Sequence, residues 1–319
     1  MEKTVVTGGA GFIGSHIVDG LLEQGYEVIA YDSLVTGDIK FLDKAKQNPN
    51  FRLVEKDLLE KEALEKAVEG SEVVFHIAAN ADIRDAMNNT FRDLEQNLVA
   101  TYNVLEAMRK HGVKKLMFTS SAAIYGEPDV FPTPENYAPH QTSTYGAAKI
   151  SSEAFIQAYC EYYDMKAWIY RFVLLMGDRY AHGVALDFFQ QLTAHPDYLQ
   201  FLADGSQRKS YLDVEDAVRG IFISMEKPQE KVNIFNLGHD DILDVKALAD
   251  VVCDEMGLLN VEYKFKDRKR GWIGDSPLVQ LDTKKLKSLG WSAQTSLEGV
   301  IRNTVKYLKT RDPKELRSH

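Results

Sequence analysis

The feature that most constrains this chain is the run from Thr4 to Gly14, Thr-Val-Val-Thr-Gly-Gly-Ala-Gly-Phe-Ile-Gly, in which a short β-rich stretch enters a glycine turn and then an amphipathic helix. Gly8 and Gly11 let the backbone turn tightly and approach a pyrophosphate, Gly14 lets the helix pack on the strand, and the helix N-terminus faces the anion. Asp32 ends the next β-rich run about twenty residues on, where a carboxylate accepts hydrogen bonds from ribose hydroxyls. The pattern predicts a dinucleotide site. Asp32 would repel a 2′-phosphate, and no arginine follows it immediately, which selects NAD over NADP.

The rest of the first half repeats the same alternation. Strands are predicted at Thr4–Thr7, Val28–Tyr31, Phe51–Val54, Val73–Ile77, Leu116–Ser120 and Ala167–Phe172. Helices are predicted at Ile13–Gln24, Lys61–Val68, Phe91–His111 and Tyr145–Tyr163. Such a sequence folds as an α/β, Rossmann-type, doubly wound parallel sheet, with ligands at the carboxyl ends of its strands. After Phe172 the alternation fades into helices at Val184–Ala194 and Val214–Met225 and a strand at Asn233–Asn236. This predicts a smaller C-terminal α/β substrate lobe. Residues 1–173, with 212–240 returning, are expected to form the NAD domain, and 174–211 with 241–319 the substrate lobe. The polar tail Thr310–His319 is expected to fray.

With 45% hydrophobic and 27% charged residues, the composition is that of an ordinary globular chain. No apolar run reaches the length of a membrane span, and Met1–Thr7 reads as a strand and not a signal peptide, so a cytoplasmic protein without membrane association is expected. Cys160 and Cys253 are the only cysteines, which leaves neither a disulfide framework nor a C-x-x-C site. No histidine has metal-ligand spacing with a second ligand, and no metal is expected. A net charge of −9 argues against a nucleic-acid partner but allows a small anion in a local positive pocket.

Tyr145-Gly-Ala-Ala-Lys149 places a phenol and an ammonium one helical turn apart. Tyr162 and Lys166 share that spacing, and we read them as structural. The first pair is singled out by Ser121, at the carboxyl edge of the strand ending at Ser120. Tyrosine, with a pKa of about 10, is a poor base at neutral pH. Lys149 and a positively charged nicotinamide would each favour the phenolate, and Ser121 could relay a proton between a substrate hydroxyl and Tyr145.

These residues resemble the extended short-chain dehydrogenase/reductase family, also described as NAD-dependent epimerases and dehydratases, and within it the UDP-glucose 4-epimerase branch. The resemblance runs over essentially the whole chain. It is carried by T-G-G-A-G-F-I-G (Thr7–Gly14), Asp57-Leu58, H-I-A-A (His76–Ala79), Asn97, T-S-S-A-A-I-Y-G (Thr119–Gly126), Y-G-A-A-K, H-G-V (His182–Val184), G-S-Q-R-K-S-Y (Gly205–Tyr211) and R-G-W-I-G-D (Arg270–Asp275). It implies that Asp57 and Leu58 flank the adenine, Ala78 and Ala79 the pyrophosphate and ribose, and that Asn97 supports the loop beneath the cofactor. It also implies cofactor contacts from Phe12, Ile13, Ser33, Thr36, Gly37, Asn80, Thr119, Tyr145, Lys149 and Val173. A nucleotide sugar would be held by Lys209 and Arg270 at its diphosphate, with Arg84, Ser121, Tyr145, His182, Val184, Tyr211 and Asp275 completing the substrate set.

By the same resemblance, Tyr145 would deprotonate the sugar 4-hydroxyl while C4 passes a hydride to NAD. The transient 4-keto sugar would then turn over, and hydride would return to the opposite face. Ala122 and Ala123 stand where dehydrating and decarboxylating relatives carry an acid, which favours epimerisation. Other NAD-dependent nucleotide-sugar enzymes, acting as dehydratases or on uronic acids or N-acetyl sugars, are the alternative, followed by a non-catalytic NAD sensor. The chain departs from the family at Leu174, where asparagine is usual, at Asp178, where proline is common, and at Lys209, where many have arginine. Gln280 falls near a gatekeeper position of intermediate size. The helices Phe91–His111 and Tyr145–Tyr163 are long enough to pair across a two-fold axis, so a homodimer is implied.

Overall fold

The computed structural model describes residues 2–81, 87–227 and 230–312. In chain order the elements are β1 (Lys3–Thr7), α1 (Phe12–Glu23), β2 (Glu27–Asp32), β3 (Phe51–Glu55), α2 (Lys61–Val68), β4 (Val73–His76), α3 (Thr90–Asp93), α4 (Ala100–His111), β5 (Lys115–Ser121), α5 (Thr144–Tyr163), β6 (Lys166–Phe172) and β7 (Leu174–Met176). There follow α6 (Val184–Ala194), β8 (Tyr198–Gln200), β9 (Arg208–Lys209), β10 (Tyr211–Asp213), α7 (Val214–Met225), β11 (Val232–Leu237), β12 (Leu243–Asp244), α8 (Val245–Met256), β13 (Glu262–Lys264), β14 (Leu278–Val279), α9 (Lys284–Lys287) and α10 (Leu297–Lys309).

Seven strands form one sheet in the order β11-β6-β5-β4-β1-β2-β3. The chain builds β1 to β3 outward on one side and then crosses to lay β4 on the other side of β1, and both neighbours of β1 run parallel to it. That reversal between β1 and β4 is the topological switch point, where a doubly wound sheet opens a crevice at the strand carboxyl ends. The strands are near-continuous apolar runs because both faces are covered by helices. Val5, Val74, Leu116 and Ile169 are at most 1% exposed and pack with Leu64, Val104, Met108 and Ile156 of α2, α4 and α5.

Helix ends are set by short-range chemistry. Ser143 caps α5 by accepting from the Gly146 N–H at 3.0 Å, and Gly112 ends α4 in the left-handed region (φ 70°), where glycine carries no steric penalty. The helix expected over Phe91–His111 is interrupted: α3 and α4 are joined by a π-helical stretch, Leu94–Val99. β4 stops at His76, one residue short of expectation, and β5 runs one further, through Ser121.

The chain divides into two compact units. One comprises residues 1–124, 143–171 and 221–235, the other 125–142, 172–220 and 236–319. In the second, β10 pairs with β7, β9 lies between β12 and β14, and β13 pairs with β8. Residues 125–142 thus group with the second unit, whereas the sequence placed them with 1–173. Among the described residues no helix is long and apolar enough to cross a membrane.

Candidate active site

The glycine turn follows β1 in the first unit. Gly8 has φ +68°, and a Cβ there would lie 2.7 Å from the Ala78 nitrogen after β4, so the two strand ends approach as closely as backbone allows. A Cβ on Gly14 would sit 2.0 Å from the Gly8 carbonyl oxygen. Gly11 caps α1 without a side-chain hydrogen bond, and no acidic residue lies in the first turn. The N–H groups of that turn therefore keep their capacity for an anion, a fit to a dinucleotide pyrophosphate.

Asp32, 8% exposed, accepts from the Ala10 N–H at 2.9 Å and the Leu34 N–H at 2.8 Å. Burial raises its carboxyl pKa, and these two donors oppose the shift. Each oxygen retains a second lone pair for a ribose hydroxyl. Gly37 passes so near that a Cβ would be 2.8 Å from Asp32 Oδ1, while Ser33 and Thr36 are exposed beside it. The Asp57 carbonyl accepts from Tyr31 Oη at 3.0 Å, which ties β3's exit to β2, and Leu58 is buried. Phe12 is buried and Ile13 half-buried in the first turn of α1. Ala79 and Asn80 continue from Ala78, and the Asn97 side chain brackets Asn80, accepting its N–H at 2.8 Å and donating to its carbonyl at 3.2 Å. Asn97 does this from the π-helical stretch.

The last three residues of β5 face three residues of α5. The Thr119 carbonyl accepts from Lys149 Nζ at 2.8 Å, Ser120 Oγ donates to Glu153 at 2.5 Å, and the Ser121 hydroxyl lies beside the Tyr145 phenol and acts to lower its pKa. Ser121 Oγ also accepts the Ala123 N–H at 3.1 Å. Ser121, Tyr145 and Lys149 are therefore brought together. Tyr162 is 76% exposed and Lys166 opens β6, so the second pair of like spacing forms no such group.

Burial dominates the electrostatics of the Tyr145 and Lys149 pair. It pushes the Tyr145 phenol up to about 12, with Asp93 adding to the rise and Ser121 opposing it. Burial likewise lowers Lys149 to about 7, against the attraction of Glu153. Both charged forms lose hydration together, and Lys149 Nζ lies 5.8 Å from the centre of the Tyr145 ring.

The second unit carries the remaining predicted residues. Lys209, buried, pairs with Asp275 Oδ1 at 2.6 Å, and the other Asp275 oxygen accepts from the Gln207 amide and the Gly271 N–H. Asp275 is 3% exposed, so its carboxylate is a partner of Lys209 first. Arg270, exposed, pairs with Glu127 at 2.6 Å. Both predicted diphosphate cations thus carry a carboxylate. The Tyr211 hydroxyl is buried without a partner, and its strand neighbour in β7 is Leu174, which cannot supply one. His182 is exposed and stacks on Tyr180, Val184 opens α6, and the Val173 N–H donates to the Leu237 carbonyl at 3.0 Å. The Gln280 amide donates to the Asp240 carbonyl at 2.7 Å. Arg84 lies outside the described residues.

Sequence reasoning missed the buried polar groups behind the triad. His76, 1% exposed, accepts from Thr7 through Nδ1 (2.7 Å) and donates from Nε2 to Thr101 (3.0 Å), which passes its own proton to the Asn97 carbonyl (2.6 Å). Burial holds its pKa down to about 3, so it is neutral and fixed in one tautomer. Glu153 and Arg171 form a bidentate pair, with side chains 0% and 5% exposed. The one available signal was that Glu153 continues the spacing of Tyr145 and Lys149 by another four residues.

This arrangement has close counterparts. A solved structure of UDP-glucose 4-epimerase with UDP-glucose from Thermotoga maritima is 34% identical, covers 97% of this chain and 99% of that one, and superposes with a TM-score of 0.87. The Thermus thermophilus UDP-glucose 4-epimerase in complex with NAD is 30% identical, with 96% and 99% covered and a TM-score of 0.86. The UDP-glucose 4-epimerase of Mycolicibacterium smegmatis is 30% identical over 97% of this chain and 99% of its own. The sequence profile of the NAD dependent epimerase/dehydratase family matches residues 4–238, from β1 through the last strand of the large sheet. Its cofactor is NAD, and the chain belongs to the NAD dependent epimerase/dehydratase family.

Proposed function

We propose that this chain is a UDP-glucose 4-epimerase, which interconverts UDP-glucose and UDP-galactose by inverting C4 of the hexose. The observation that carries the proposal is the gathering of Ser121, Tyr145 and Lys149 at one strand end, in a chain similar to named UDP-glucose 4-epimerases at 30% and 34% identity. NAD, when bound, supplies a reversible hydride acceptor and a positive charge. Tyr145 Oη takes the proton of the 4-hydroxyl, through Ser121 or directly, and gives it back when the hydroxyl is re-formed. Lys149, seated on the Thr119 carbonyl, keeps the helix turn that bears the phenol in place and adds positive charge behind it. No acid stands at Ala122 or Ala123 to expel a hydroxyl, which supports epimerisation over dehydration.

For the nucleotide sugar we assign Lys209 and Arg270 to the diphosphate, with Tyr211 offering its buried hydroxyl. A ligand phosphate would compete with Asp275 and Glu127 for these cations. We also propose a homodimer joined through α4 and α5, which expose Tyr102, Phe155 and Tyr162, and a cytoplasmic setting, in keeping with two free, buried cysteines. The deciding experiment follows UDP-glucose, UDP-galactose and their N-acetyl and uronic-acid counterparts by NMR with wild-type and Tyr145→Phe protein. C4 inversion by the wild type alone is expected. Inertness toward every sugar would overturn the proposal, and inversion of only an N-acetyl or uronic sugar would replace its substrate.

A further inference from the structure

Buried ion pairs stabilise little, because the desolvation of two charges offsets their attraction, and apolar side chains of equal volume hold helix to sheet as well. A pair as deeply buried as Glu153 and Arg171 therefore calls for another account. Tyr145, Lys149 and Glu153 recur at four-residue intervals and share one face of α5. Lys149 and Glu153 are held by Thr119 and Ser120 of β5, and Glu153 takes Arg171 Nε at 3.0 Å and Nη2 at 2.7 Å as well as Ser120 Oγ at 2.5 Å. Three donors fix both carboxylate oxygens in one position.

The groups facing Lys149 come from each element around it. They are the Thr119 carbonyl and the Phe118 ring of β5, with Nζ 4.8 Å from the ring centre, neutral His76 of β4, and the Tyr145 ring and Glu153 of α5. Asp93 of α3 acts through its charge on Tyr145 and accepts from Thr144 Oγ1 at 2.6 Å. Among these, Glu153 is the anion that acts on Lys149.

We propose that Glu153 is a positioning residue for the proton transfer at Tyr145: its negative charge, locked by Arg171 and Ser120, keeps the Lys149 ammonium seated on the Thr119 carbonyl. This rests on the epimerase reading for its consequence in catalysis, but its physical core concerns Lys149 alone. Arg171 is the clamp for Glu153 and not a second charge on Lys149.

The test titrates Lys149 in the full chain with NAD added, using protein grown on lysine labelled with 13C at Cε, the resonance being assigned by its loss in Lys149→Met. In Glu153→Gln the Lys149 midpoint is expected to fall by about one pH unit, and the alkaline limb of the kcat profile with UDP-galactose should move down with it while KM holds. Glu153→Asp should recover most of the shift. Should Glu153→Gln fold poorly, the double variant Glu153→Gln/Arg171→Gln removes the stranded cation and should regain thermal stability with the midpoint still lowered. A wild-type midpoint in either Glu153→Gln or the double variant overturns the proposal. A lowered midpoint in a chain that epimerises no sugar would sustain Glu153's role and refute the epimerase reading instead.

Discussion

Replacing Lys149 by methionine should make the protein more stable in acid and less so in alkali, relative to wild type, because the native fold disfavours this lysine's proton. The native state lowers the ammonium from 10.5 to about 7, chiefly by burial. At about 1.4 kcal/mol per pH unit, the whole gap corresponds to about 5 kcal/mol carried against folding at low pH. Between the two values the unfolded chain binds the proton and the native chain does not, so wild-type stability rises with pH from about 7 to 10.5. Methionine has no such dependence. Its constant penalty is the Thr119 carbonyl left without the Nζ donor now at 2.8 Å, about 1–3 kcal/mol. The difference in unfolding free energy between wild type and Lys149→Met should therefore change by about 3 kcal/mol between pH 6 and pH 9.5 in favour of wild type. Urea titrations of both proteins, freed of nucleotide, measure it, since every other titrating group cancels in the difference. A difference that stays constant over this range would refute the assignment of Lys149 as a buried, destabilising cation.

Three further outcomes rest on the geometry. Gly14→Ala should abolish NAD retention through gel filtration, checked by absorbance of the released nucleotide, and should destabilise the fold by about 3 kcal/mol, because its Cβ meets the Gly8 carbonyl at 2.0 Å. Asp32→Asn should weaken NAD binding about 10- to 100-fold by calorimetry, since it removes a charged acceptor and turns an amide N–H toward the Ala10 or Leu34 N–H; unchanged affinity would count against Asp32 as the ribose partner. Phe155→Glu should yield a monomer by sedimentation, as Phe155 is 41% exposed beside Tyr102 on the proposed dimer face, and a monomeric wild type would remove that interface.

The large sheet was legible because each strand is a short apolar run ended by a turn and each helix carries a stripe of matching period. The glycine turn, Asp32 and the Ser121, Tyr145 and Lys149 group were legible because their spacing is local or tied to a strand end. The second unit was opaque beyond its longer helices: β9, β12 and β14 are two residues long, and their pairing depends on contacts distant in sequence. Glu153 and Arg171 were missed for a related reason, since a charged residue in a helix or strand reads as solvent-facing unless its partner is seen. The effect of burial on Tyr145 was not legible, because charge proximity can be inferred from spacing, whereas loss of water cannot.

The π-helical stretch Leu94–Val99 constrains how this helix can vary. One extra residue in the turn resets the angular phase between the residues on its N-terminal side and those on its C-terminal side. On its N-terminal side Asp93 aims at Asn80 and Thr144; on its C-terminal side Ala100, Val104 and Met108 pack into the core. A uniform helix could satisfy only one of these two azimuths. Deleting a single residue here would rotate all of α4 by about 100°, carrying the apolar stripe toward solvent, so the segment should accept substitution far more readily than any change of length.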